Sequence, residues 1–215
     1  MGTSNATNGG SGPLPGGGGG DGPPSEDLRA RRRRLVQDDI ARVAVRLFLE
    51  RGYDGVSVDE LAAAAGMSER SFFRYFASKD EVLRRYRRGL FSVLVQTFEA
   101  RPADEPALTA LRNAYVETSH VAAADRPRVH ALARLLADAA DVWAKDLGET
   151  ITDASVVAEL ARRMQVAPDE LRPAVLAAAV SAAVVTGWNV WVRSAGRQDP
   201  GSLVAASIDL LGLPG

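Results

Sequence analysis

The 215-residue chain has no cysteine and only two histidines, His120 and His130. Without cysteine it can form no disulfide, no thiolate metal site and no thiol nucleophile. The two histidines lie ten positions apart and belong to no metal-binding motif such as His-Glu-x-x-His. The sequence therefore predicts no metal site and no cofactor.

Motifs of catalysis and nucleotide binding are missing as well. There is no nucleophile elbow and no Walker loop. The glycine run at residues 16–20 is not followed by a helix start, as a dinucleotide-binding loop would be. An enzyme is thus the disfavoured interpretation, and we expect a chain without catalytic residues.

Signals for membrane insertion or export are weak. Residues 174–192, AVLAAAVSAAVVTGWNVWV, are nearly all apolar, but they include Ser181, Thr186 and Asn189 and lack positive anchors on both sides. A helix that is apolar all round is typical of a buried core helix. The N-terminus has no charged-then-apolar signal pattern. We therefore expect a cytoplasmic protein with no membrane contact.

Charge is divided unevenly, although the formal net charge is only −1. Residues 28–90 contain 15 Arg and Lys against 9 Asp and Glu, whereas residues 91–215 contain 11 against 15. A basic part beside an acidic part is typical of a chain that binds a polyanion through one region only.

Two short helices joined by a tight turn are predicted within residues 52–79, GYDGVSVDELAAAAGMSERSFFRYFASK. Ser57 and Glu60 have the spacing of a capping box that opens the first helix. Gly66 ends that helix, and Ser68 starts the second almost at once. The pattern indicates a helix-turn-helix, whose second helix can enter the major groove of DNA.

This segment resembles the DNA-binding domain of the TetR family of bacterial transcriptional regulators. The resemblance covers about a quarter of the chain. The residues that carry it are Gly52-Tyr53, Ser57-Val58, Leu61-Ala62, Gly66-Met67-Ser68, Phe72-Phe73-Arg74-Tyr75-Phe76, and Ser78-Lys79 followed by Glu81.

The helical patterning and the resemblance together imply an all-α fold. We expect a disordered, Gly/Pro-rich tail at residues 1–26, because its composition cannot bury enough apolar surface to offset the entropy of ordering. A three-helix DNA-binding domain is expected at 27–79 and a helical ligand-binding and dimerisation domain at 80–215. In the latter, a helix at 80–100 opens with a second capping box, Ser78 to Glu81, and connects the two domains. Further helices are expected near 106–124, 127–137, 139–165, 168–195 and 200–212.

The exposed face of the second motif helix is implied to meet DNA, while Phe72 and Phe76 point inward. Arg70 is the best candidate for reading a guanine edge, because its planar fork can pair with O6 and N7. Phe73 departs from the family pattern, where tyrosine is common, and keeps an apolar contact. Glu69 would repel phosphates unless it accepts from a cytosine amine or pairs with Arg70. The predicted DNA-binding residues are Arg33, Arg34, Ser57, Ser68, Glu69, Arg70, Ser71, Phe73, Tyr75 and Lys79.

The second domain is implied to bind a ligand and to form a homodimer through its last two helices. A solvated helix end is the alternative for the arginines near residue 33, and ordinary core packing is the alternative for each polar or aromatic candidate in the second domain. The predicted ligand-binding residues are Phe98, Asn113, Tyr115, Ser119, His120, Trp143, Trp188 and Asn189.

By this resemblance the chain is a repressor that a small apolar or aromatic ligand releases from a palindromic operator on double-stranded DNA. Two alternatives stay open: a regulator that binds DNA without any ligand, and an activator.

The first prediction concerns Arg70. Arg70→Ala should weaken binding to specific DNA by about 1–3 kcal/mol and binding to unrelated DNA much less, because a base contact carries sequence information and a phosphate contact does not. Fluorescence anisotropy with both DNAs measures the difference. Equal losses on the two DNAs would make Arg70 a phosphate contact.

Overall fold

The computed structural model describes residues 25–138 and 154–213, and these residues form nine α-helices and no strand. The all-α prediction is therefore confirmed. The helices are α1 (Ser25–Arg51), α2 (Val58–Ala64), α3 (Glu69–Phe73), α4 (Lys79–Glu99), α5 (Ala107–Ser119), α6 (Arg126–Asp138), α7 (Ala154–Met164), α8 (Leu171–Arg193) and α9 (Pro200–Asp209).

Several predicted helix boundaries differ from the structure by a few residues. Helix α1 begins at Ser25, inside the segment 1–26 predicted as tail. The helix predicted at 106–124 ends at Ser119, because the backbone of His120 is extended, with φ −68° and ψ 129°. Residues 1–24, and the part of the predicted helix 139–165 that precedes Ala154, lie outside the described residues.

An N-terminal core holds the first four helices together. Helix α1 contributes Ile40, Ala44 and Phe48, and the start of α4 contributes Val82 and Leu83, all of them buried. Leucines of α6 also pack against this core. The core fixes how α2 and α3 are presented, because a helix as short as α3 has little stability of its own.

A separate C-terminal core unites the end of α4 with α5, α7, α8 and α9. It includes Phe98 from the end of α4, Leu111 from α5, Leu160 from α7, Val180 from α8 and Val204 from α9. Helix α4 therefore contributes its first turns to one core and its last turns to the other. It is the one continuous element in the described chain that belongs to both clusters.

Helix α8 is long and apolar enough to cross a membrane by length and composition alone. In the structure it is a central helix of the C-terminal core, and Ala177, Val180 and Trp191 are buried along it. At Gly187 it approaches α9 closely: a Cβ atom built there would lie 3.0 Å from Ser207 Oγ and 3.1 Å from the Leu203 carbonyl oxygen.

The C-terminal end of α4 is tied to α7 by one arginine. The Arg163 guanidinium donates to the carbonyls of Phe98, Arg101 and Pro102 at 2.8–2.9 Å, and its Nε donates to Glu159 at 2.7 Å. Its side chain is 2% exposed. The carbonyls of Phe98 and Pro102 also accept from the backbone N–H groups of Arg101 and Glu105, so among the described donors only Arg163 serves the Arg101 carbonyl.

Replacing Arg163 with methionine should lower the free energy of unfolding by about 3 kcal/mol, because the buried Glu159 carboxylate loses one of its two arginine partners and the Arg101 carbonyl loses its donor. The neighbouring Arg162 also pairs with Glu159, but its side chain is 61% exposed, so Arg162→Met should cost much less. Urea denaturation of both variants measures the difference. Equal losses would show that Arg163 is worth no more than a surface ion pair.

Candidate nucleic-acid interface

The motif helix α2 begins with the predicted capping box. Ser57 Oγ accepts from the Glu60 backbone N–H at 3.2 Å, and the Glu60 carboxylate accepts from the Ser57 N–H at 2.9 Å. These bonds with Ser57, followed by that with Arg51, hold the pKa of Glu60 below its ordinary value. The bond to Arg51 also links α2 to the end of α1. Gly66 then turns the chain with φ +71°, a conformation that favours glycine.

Helix α3 presents one buried and one exposed face. Ser68 Oγ caps it by accepting from the Ser71 N–H at 3.2 Å. Phe72 is fully buried, whereas the adjacent Phe73 is 49% exposed. Glu69 and Arg70 are exposed, and neither forms an ion pair or hydrogen bond with any side chain that the structure describes. The suggested pairing of these two residues is therefore absent here, and the Arg70 fork is free to meet a ligand.

Arg33 and Tyr75 lie together although they are far apart in sequence. The Arg33 guanidinium is 5.7 Å from the centroid of the Tyr75 ring, and Arg74 is 5.8 Å from the same ring. Gln37, which belongs to no sequence motif, donates to the Tyr75 carbonyl at 2.9 Å. These contacts place the basic part of α1 next to the end of α3, so both belong to one surface.

Arg34 is exposed beside this surface, and its carbonyl accepts from Arg85 of α4 at 3.5 Å. Arg85 also binds both carboxylate oxygens of Asp38 at 2.8 and 2.9 Å. This bidentate pair links α1 to α4 and holds the basic segment in place. Sequence reasoning missed it, because the two residues are brought together only by the packing of the helices.

Lys79 has internal partners in the structure. Its Nζ donates to the carbonyls of Tyr53 and Val56 at 3.0 and 3.4 Å and lies 4.3 Å from the centroid of the Tyr53 ring. Burial and the hydrogen bond to Asp80 raise the pKa of Tyr53. Lys79 thus fixes the loop before α2, and one of its three N–H donors is left for a phosphate. Its phosphate contact stays a prediction.

The capping box predicted at the start of α4 is only half formed. Ser78 Oγ accepts from the Glu81 N–H at 3.3 Å, as expected. The Glu81 carboxylate, however, accepts from the N–H of Ala77 at 2.6 Å and not from that of Ser78. The side chain therefore reaches one residue further back, and it stabilises the turn between α3 and α4.

Several residues predicted to bind a ligand lie in the C-terminal core, where they have protein partners. Tyr115 is hydrogen-bonded to Ser181 at 3.0 Å, and the Trp188 indole donates to Ser119 at 3.3 Å, so these members share one part of the C-terminal core. Each candidate polar group in this part already has a protein partner.

The other candidates are scattered. Phe98 is fully buried in the core, and Asn113 donates to Glu105 at 2.7 Å. His120 is exposed and lies 3.3 Å from Asp199, and Asn189 is exposed on α8. Trp143 lies outside the described residues. Ligand contact by this set stays a prediction. Within the described residues no group of three or more His, Cys, Asp or Glu could hold a metal ion.

Comparison with known families identifies the fold. The family model described as "Bacterial regulatory proteins, tetR family" matches residues 40–86, and the model of the "MftR C-terminal domain" matches residues 105–213. The two matches together cover more than half of the chain and include most of the residues of both cores. The chain belongs to the TetR family of bacterial transcriptional regulators.

Curated relatives are similar over part of their length. The HTH-type transcriptional regulator TcmR of Streptomyces glaucescens is 38% identical over 88 residues, which are 41% of this chain and 39% of that protein. The mycofactocin biosynthesis transcriptional regulator MftR of Mycobacterium tuberculosis is 46% identical over 52 residues, 24% of this chain and 26% of that protein. The matched segments thus span well under half of either relative.

Solved structures share the fold over most of the chain. FadR of Thermus thermophilus, a TetR-family transcriptional repressor in complex with lauroyl-CoA, has a TM-score of 0.61 at 20% identity, and covers 83% of this chain and 99% of its own. A TetR-family regulator from Rhodococcus sp. has a TM-score of 0.56 at 18% identity, over 83% and 98%. At these identities the likeness concerns the fold alone.

Replacing Lys79 with alanine should have two separable effects. Loss of the bonds to two carbonyls should lower the free energy of unfolding by about 1–2 kcal/mol. Loss of a phosphate contact should weaken binding to all DNA sequences and reduce the salt slope of the binding constant by about one unit. Urea denaturation and anisotropy across a salt series measure the two effects. The exposed Arg172→Ala on α8 is the control, and an unchanged slope for Lys79→Ala would rule out the phosphate contact.

Proposed function

We propose that this regulator is a repressor, which binds a palindromic operator as a homodimer and leaves it when a small apolar or aromatic ligand binds. In this proposal residues 27–79 form the DNA-binding domain and residues 80–215 the ligand-binding and dimerisation domain. A cytoplasmic location follows from the DNA target.

The surface around α3 carries the DNA-binding part of the proposal. On this short helix one phenylalanine is buried and the next is half exposed, next to a guanidinium that no described side chain neutralises. The buried face fixes the position of the helix. Its exposed aromatic and cationic groups can then contact base edges and phosphates in the major groove. Arg33 and Arg34 extend the basic surface along α1, where the backbone of adjacent DNA would lie.

Exposed apolar side chains support a homodimer through the last two helices. Val185 of α8 is 55% exposed, and Leu210, directly after α9, is 88% exposed. Large apolar side chains that stay exposed on the same two helices are what a subunit interface there would cover. A two-fold dimer would present two DNA-binding domains, here called reading heads, to the two halves of a palindrome. A monomer has one such domain and can bind one half-site at a time.

The effector part of the proposal rests on the C-terminal core and on one structural relative. FadR of Thermus thermophilus is a repressor of the same fold that holds lauroyl-CoA. The polar pairs Tyr115–Ser181 and Trp188–Ser119 supply handles within apolar surroundings here. An effector there would act through α4, and it could shift the equilibrium only by its difference in affinity for the two states.

The proposal is tested by binding the purified protein to the intergenic DNA beside its own gene. Anisotropy across a salt series should show tight, salt-dependent binding, at least about 10³-fold tighter than to unrelated DNA of the same length. Transcription in vitro from the adjacent promoter should fall as the site fills. Failure to bind at any salt would contradict the DNA-binding proposal, and increased transcription would make the protein an activator.

A further inference from the structure

A cavity of about 920 Å³ lies where the DNA-binding helices meet the rest of the chain. One wall is α1, the opposite wall is α6 with the loop before it, and Tyr86 of α4 contributes a ring. The volume is within the range of small-molecule sites, which is roughly 300–1,000 Å³. Of the residues predicted to bind a ligand, only His120 lies on its lining, so this cavity is separate from the Tyr115 and Trp188 region.

The walls combine apolar and cationic groups. Val43 and Leu49 of α1 face Val129 and Leu132 of α6 across the cavity. Arg46 of α1 and Arg128 of α6 lie on the same lining. A ligand with an apolar part and a charged group would therefore meet apolar side chains and an arginine from each of the two helices.

The positive charge of the cavity is only partly neutralised. Arg42 is paired with Asp39. Arg46 and Arg128 form no ion pair or hydrogen bond with any residue between 25 and 138 or between 154 and 213. Asp125 is the acidic group on the lining that could oppose them, and His120 is already beside Asp199. The two unpaired guanidinium groups outnumber the one unpaired carboxylate, so the site favours an anion.

We infer that this junction cavity binds an amphipathic organic anion, with its apolar body between α1 and α6 and its charge on Arg46 and Arg128. A guanidinium presents a fork of donors that matches carboxylate, sulfonate and phosphate groups. Binding of the anion does not require the proposed function, but its regulatory effect does. A ligand that contacts α1 and α6 at once would change the orientation of the DNA-binding domain relative to the rest of the protein.

Two dyes that share one ring system test the inference without DNA. 8-Anilinonaphthalene-1-sulfonate carries a sulfonate, and N-phenyl-1-naphthylamine is the same framework without it. Both become fluorescent on entering an apolar site, so titration of the full chain gives the two affinities. The wild-type protein should bind the sulfonate at least about tenfold more tightly, since a hydrogen bond to a charged group is worth that factor or more.

Matched variants assign the site. Arg46→Gln combined with Arg128→Gln should weaken the sulfonated dye about tenfold or more and change the uncharged dye less than about twofold. Arg46→Lys keeps the charge and should retain most of the binding. Arg134→Gln, an exposed arginine of α6 away from the cavity lining, is the control and should change neither affinity.

Three results would overturn the inference: no saturable binding of the sulfonated dye to wild type, equal affinity for both dyes, or an unchanged affinity in the double variant. Thermal melting of each variant shows that it is folded. Because DNA is absent from these titrations, failure of operator binding would count against the proposed function and leave this result intact.

Discussion

One helix, α4, contributes buried residues to both hydrophobic cores, and the DNA-binding helices are joined to the C-terminal helices through it. Val82 and Leu83 of α4 are buried with the DNA-binding helices, and Leu94 and Phe98 are buried with the C-terminal helices. A helix of 21 residues is about 30 Å long, and its hydrogen-bonded backbone resists bending. A shift of either core would therefore displace the same helix, and α6 adds a second link, since it packs on the N-terminal core and hydrogen-bonds through His130 to Val192 of α8.

Polar contacts fix both ends of α4. Ser78 caps its first turn and Asp38 holds Arg85, whereas Arg163 binds the last carbonyls from the side of α7. The first set belongs to the reading head and the last to the C-terminal core. Helix α3 is too short to be stable alone, so its direction is set by Phe72 and by what lies beneath it. The orientation of the DNA-reading surface is thus a property of the core and of α4.

The local features were readable from sequence, because they depend on neighbours a few residues apart. The spacing of Ser57 and Glu60, the left-handed turn at Gly66 and the inward faces of Phe72 and Phe76 all follow from helix geometry. The family resemblance supplied the all-α architecture. What sequence could not supply was the partner of each long polar side chain, as the carbonyls bound by Lys79 and Arg163 show.

Ligand contacts were the hardest feature to predict from the sequence, because they too depend on the partners of polar side chains. Residue type alone does not tell whether a buried polar group is free or satisfied, and Asn113, which suits a ligand by type, is already bound to Glu105. The junction cavity is built from residues of α1, α4 and α6, none of which forms a local motif. Only the packing angle between the two parts of the chain creates it.

Gly187 bears on the geometry of assembly. With Ser207 and Leu203 at 3.0–3.1 Å from the position of a Cβ, α8 and α9 are so close that a larger residue at Gly187 would push one of them aside by a few tenths of an ångström. The close approach at Gly187 sets the spacing between these two helices. If α8 and α9 of two subunits pack together to form the dimer, their spacing within each subunit would help to set the distance between the two DNA-binding domains.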